Sequence, residues 1–159
     1  MLVRFDDSIE RSGKSRLLDI VLILANANRL GVDPHELAPP VGFAHAMVAS
    51  GGRTVYLAGQ TALDSTGVVV GKGIVEQVDR VLSNLCVALR EAGGTPEHLV
   101  KLTIFVSDVA DYLAHRPEIG KVWRERLGKV FPAMTLVEVS DFWNDGALVE
   151  IEGVAVVPA

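Results

Sequence analysis

From Phe43 to the C-terminus, strand-like and helix-like periods alternate, and only two segments carry a helical stripe. Residues 43–49, the turn-forming Ser50-Gly51-Gly52 and residues 54–58 read as a β-hairpin. Asp64-Ser65-Thr66-Gly67 makes a turn into the apolar run Val68-Val69-Val70. Ile74, Val78, Val81, Leu82, Leu85 and Leu89 then share one helical face, which ends at Gly93-Gly94. Thr95-Pro96-Glu97 has the chemistry of a capped helical turn, and residues 99–106 form a β-branched strand. Pro117 can open a second helix, with Ile119, Val122, Trp123 and Leu127 facing inward. Residues 134–139 and 148–157 read as two more strands. The order is β-β-α-β-α-β-β, and two helices cannot cover both faces of such a sheet. An α+β layer follows, with two helices on one face of a mixed sheet and a partner subunit as the natural cover for the other.

The last strand sharpens this expectation. Val149, Ile151 and Ala155 alternate with Glu150 and Glu152, so a period of two puts the carboxylates together, away from the helices. Those carboxylates belong either to a solvated face or to an intersubunit cleft. A hydrophobic fraction of 49% and a mean hydropathy of +0.32 also suit a chain that buries apolar surface between subunits.

Charge and residue usage exclude several classes of function. Fifteen basic residues stand against 20 acidic ones without a dense basic run, so there is no footprint for nucleic acid or anionic lipid. No apolar run reaches the roughly 18 residues needed to span a bilayer. The single cysteine, Cys86, precludes an internal disulfide and fits a reducing, cytoplasmic setting; it reads as a small buried hydrophobe. His35, His45, His98 and His115 lack metal-ligand spacing, and no phosphate loop or dinucleotide fingerprint occurs, so neither metal nor cofactor is expected.

The N-terminal stretch supports two readings. Arg11, Lys14 and Arg16 before an apolar segment and Ala25-Asn26-Ala27 imitate a signal peptide. Asp19 within that segment, and Asp6, Asp7 and Glu10 before it, oppose this. Leu17, Ile20, Val21, Leu24 and Ala27 instead make one face of an amphipathic helix, with Gly31 just past its end. Asp33-Pro34 and Pro39-Pro40 then punctuate the chain, dividing an extension over 1–32 from a domain over 33–159.

Four motifs stand in a recognisable order. They are Leu57-Ala58-Gly59-Gln60, the strand at 100–106 followed by Asp108, Phe131-Pro132-Ala133, and Val149-Glu150-Ile151-Glu152-Gly153-Val154-Ala155-Val156. Together they resemble the Rid family, also called YjgF-like or L-PSP endoribonuclease-like, over roughly residues 36–159. The resemblance implies a chorismate mutase-like fold and a homotrimer binding small molecules in its three intersubunit clefts. It also implies hydrolysis of enamines and imines such as 2-aminoacrylate to ketoacids and ammonia.

Family members that act on amino-acid-derived imines carry an arginine two residues after the Phe-Pro proline, where it grips the substrate carboxylate. Here that position is Met134. A pocket position that is often cysteine falls on Leu136, and a family tyrosine becomes Phe43 in Val41-Gly42-Phe43. Gly59 keeps its place in the pocket lining, and Glu150 matches the glutamate that orients the attacking water. A cleft of Phe43, Gly59, Met134 and Leu136 with Glu150 would be apolar and anionic. It is expected to favour a neutral or cationic imine or enamine and to act poorly on 2-aminoacrylate. Three alternatives stand beside this deaminase: Glu150 as a purely structural acceptor, a non-catalytic metabolite-binding trimer, and an endoribonuclease, which the acidic balance opposes. Phe142 and Trp143, before the last strand, either rim the cleft or cover the core.

Overall fold

A computed structural model of the chain describes residues 29–159. The amphipathic helix and the signal-like segment read from the sequence lie outside the described residues. Gly31, expected just past a helix end, lies instead within strand β1, Arg29–Val32. The remaining elements are β2 (Ala46–Ala49), β3 (Arg53–Gln60), α1 (Ile74–Glu91), a 3₁₀ turn at Pro96–His98, β4 (Leu99–Val106), α2 (Val109–Ala114), α3 (Arg116–Leu127), β5 (Ala133–Glu138) and β6 (Val149–Val157).

The main sheet runs β3-β6-β4-β5, with β6 antiparallel to β3 and β4, and β5 parallel to β4. It is a mixed sheet in an α+β layer, as the sequence implied. The hairpin expected from residues 43–58 does not form. β2 pairs antiparallel with β1 in a separate two-stranded ribbon, while β3 pairs only with β6. The turn between them is genuine, since Gly51 has φ +66°, but turn chemistry fixes a reversal of direction and not the strand that is met afterwards. The ribbon is tied back by the Ala44 amide, which donates to the Pro132 carbonyl at 3.0 Å, and by the Arg29 guanidinium, which donates to the Leu99 carbonyl at 2.9 Å.

All six apolar stripe residues of α1 are buried, and the helix lies over β3 and β6. At ~1.5–3 kcal/mol for each large side chain removed from water, this stripe dominates the placement of the helix. Gln77 shares the buried face and is fully satisfied. Its amide nitrogen donates to the Gly146 carbonyl at 2.9 Å, and its oxygen accepts from the Leu148 amide at 2.8 Å. The helix is thereby stitched to the loop that feeds β6. α3 packs on α1 through Ile119, Trp123 and Leu127, with Val122 half-buried and Pro117 in its first turn.

Among the described residues, the helices cover one side of the sheet only. Val149, Ile151, Ala155 and Val157 of β6 are buried on that side. Register places Glu150 beside Phe105, Glu152 beside Thr103, and Tyr56 beside Val154, all on the opposite side. Tyr56 there is 80% exposed.

Candidate functional site

The residues singled out in the sequence fall into two groups on opposite faces of the sheet. Phe43, Met134 and Leu136 come together in a pocket of about 550 Å³ on the helix side. Its origin is architectural: α1 lies over β3 and β6, α3 leans on α1, and the edge strand β5 is left without a helix directly above it. Ile104 from β4 forms part of the floor, and Ile119 and Trp123 from α3 form part of the wall. The Trp123 indole N–H is satisfied by the Val130 carbonyl at 2.9 Å, which fixes the ring against that wall. Tyr112 of α2 also lines the pocket, and burial holds its phenol protonated beyond the ordinary range. Arg116 and Arg124 complete the lining.

Glu150 and Gly59 form the second group. A register shift between Leu57 and Gln60 makes a bulge in β3, which brings Gly59 over the side chain of Glu150. A Cβ at Gly59 would fall on the Glu150 carboxylate, so the residue must lack one for the carboxylate to sit there. Gln60 braces the bulge, its amide donating to the carbonyls of Ala58 at 3.2 Å and Gly59 at 3.3 Å. The half-buried carboxylate therefore rests on exposed, irregular backbone on the face that the helices leave open.

Within one chain, then, Glu150 does not share a cleft with Met134 and Leu136. Strand parity decides this. Met134 pairs with Leu102 and Leu136 with Ile104, both facing the helices, whereas Glu150 pairs with Phe105, which faces away. Within one chain the charged groups at that pocket are the guanidinia of Arg116 and Arg124. Sequence reasoning missed Tyr112, Arg116 and Arg124 altogether. The available signal was Asp108, whose carboxylate caps α2 by accepting from the Asp111 amide at 3.0 Å and so announces a helix there.

The model of the family described as Endoribonuclease L-PSP matches residues 34–157. The chain belongs to the Rid family. A RutC family protein of Synechocystis sp. is 40% identical over 121 residues, covering 75% of this chain and 89% of its own length. The 2-iminobutanoate/2-iminopropanoate deaminase of Homo sapiens is 30% identical over 105 residues, covering 65% of this chain and 73% of its own. Among solved structures, the Rid family protein YyfB from Yersinia pestis superposes with a TM-score of 0.74 at 32% identity, over 82% of this chain and 99% of that one. The chorismate mutase-like fold implied by the Rid resemblance is thus the fold of this chain.

Other features of the Rid domain are structural. Cys86 is half-buried on α1; its thiol lies 3.7 Å from the Arg126 carbonyl, and desolvation raises its pKa, which disfavours the nucleophilic thiolate. Trp143 is 95% exposed and does not cover the core. Among the described residues no helix is long and apolar enough to cross a membrane, and no cluster of three His, Cys, Asp or Glu could hold a metal ion.

Proposed function

We propose that this Rid protein hydrolyses imines or enamines at a centre shared between copies of the chain, assembled as a homotrimer. The observation that carries this reading is the Glu150 carboxylate seated on the Gly59 bulge of the uncovered sheet face. A carboxylate held against exposed backbone can accept a proton from a water molecule at hydrogen-bonding distance. That water adds to the imine carbon while Glu150 takes one of its protons and passes it to the nitrogen, giving a carbinolamine; the hydroxyl proton then follows by way of the same carboxylate as the C–N bond breaks, and ketone and ammonia leave. Phe43, Met134 and Leu136 serve as the substrate pocket, and a neighbouring copy brings its Glu150 and Gly59 to it. The names of the deaminase relatives support this class of reaction.

Imines generated in situ by an amine or amino-acid oxidase provide the test, with ketone and ammonia release followed against time. Glu150→Gln is expected to lower the rate at least ~100-fold, the usual scale for a general acid–base group, without loss of fold. An unchanged rate in the variant overturns the role of Glu150. A wild-type protein that turns over no imine overturns the hydrolase and supports a non-catalytic ligand-binding trimer. That second reading is favoured by one observation, the thioether of Met134 where family deaminases have a guanidinium.

A further inference from the structure

We infer that the Phe43–Met134–Leu136 pocket selects an anion with a bulky apolar or aromatic body, and that Arg116 and Arg124 of α3 supply its charge recognition. The inference rests on the reading above that this pocket receives the ligand, but not on the chemistry assigned to Glu150.

Residues 116, 120 and 124 are spaced i, i+4, i+8 and make one stripe along α3, with Ile119 and Trp123 beside it. Gly120 stands between the two arginines and contributes no side chain, leaving a gap in the stripe. A Cβ there would meet only the Arg124 guanidinium, at 3.6 Å, so the arginine lies across the opening. Among the described residues neither Arg116 nor Arg124 has an ion-pair partner, in contrast to Arg126, two residues beyond Arg124, which is bound to Asp79. Within one chain no acidic side chain contributes to the lining. The Tyr112 hydroxyl, kept protonated, is a further donor. The floor is wholly apolar through Ile104, Phe131, Met134 and Leu136. A site of this size, with guanidinia spaced along one wall and apolar surface below, fits an amphipathic anion. The volume exceeds the needs of a three-carbon acid, which would leave most of the apolar floor wet.

Three probes of one shape and different charge decide the matter: phenylacetate, phenylacetamide and phenethylamine, titrated calorimetrically against the full chain. Phenylacetate is expected to bind at least tenfold tighter than the amide, the amine weakest of all, and the preference should shrink as ionic strength rises, because both guanidinia are exposed. The double variant Arg116→Gln/Arg124→Gln should bind acid and amide alike. Gly120→Leu, a change that favours helix, should weaken all three by filling the gap. Equal binding of acid and amide, preference for the amine, survival of the preference in the double variant, or no binding of any probe each overturns the inference. Loss of imine turnover with the phenylacetate preference intact overturns the proposed hydrolase alone.

Discussion

A methyl group on Gly59 would occupy the space filled by the Glu150 carboxylate, and the clash falls on the free end of a flexible side chain rather than on backbone. The protein can relieve such a clash cheaply by swinging Glu150 aside. Gly59→Ala is therefore expected to change unfolding free energy by less than about 1 kcal/mol and yet to cost at least tenfold in imine turnover. Denaturant titration and the ketone-release assay measure the two separately, and full turnover in the folded variant would show that the seat of the carboxylate is irrelevant. The chemistry at this scale was legible in part. Glu150, Gly59 and Met134 are visible as positions in a motif, and strand periodicity correctly sent Glu150 away from the helices. The neighbours of Met134 were not legible, because the arginines beside it come from a helix face with no local sequence link to β5.

Between elements, the clearest polar tie joins α1 to α3. Arg126 donates to both oxygens of Asp79, at 2.7 and 2.8 Å. Those hydrogen bonds outweigh partial desolvation and hold the Asp79 carboxyl below its ordinary range. A carboxyl depressed on folding stabilises the native state above its unfolded value near 4, and that contribution disappears as pH falls through the lower folded value. With side-chain exposures of 41% and 36%, solvent screens the pair, and about 0.5 kcal/mol is the expected scale. Asp79→Asn should thus lose about that much stability at pH 7 in chemical denaturation, with the gap closing below about pH 4. A gap that persisted undiminished in stronger acid would place the effect in packing instead. The same scale explains which elements could be foreseen. α1 and α3 announce themselves because each needs only its own periodic stripe. The β1–β2 ribbon could not, since Arg-Leu-Gly-Val offers four residues, one of them glycine, and pairing is decided by a partner outside the window.

For the whole molecule, the decisive fact is that one sheet face carries Tyr56, Val137, Val154, Glu150 and Glu152 with no helix among the described residues over it, while the Phe43–Met134–Leu136 pocket opens on the other side. A centre that needs both Glu150 and the pocket must therefore take them from different copies, which makes its subunit origin testable by mixing. Glu150→Gln chains and chains blocked in the pocket by Met134→Trp should each be inactive as pure preparations. Each should still assemble, with a sedimentation mass three times the 17.0 kDa of one chain. Co-refolded in equal amounts, they should regain activity, because a cleft is intact when a Met134→Trp chain supplies Glu150 and a Glu150→Gln chain supplies the pocket. Random assembly makes roughly one cleft in four of this kind. Recovery near that fraction requires a shared centre. If activity stays absent although mixed trimers form, Glu150 and the Met134 pocket do not cooperate across a subunit boundary, and the uncovered face serves assembly alone.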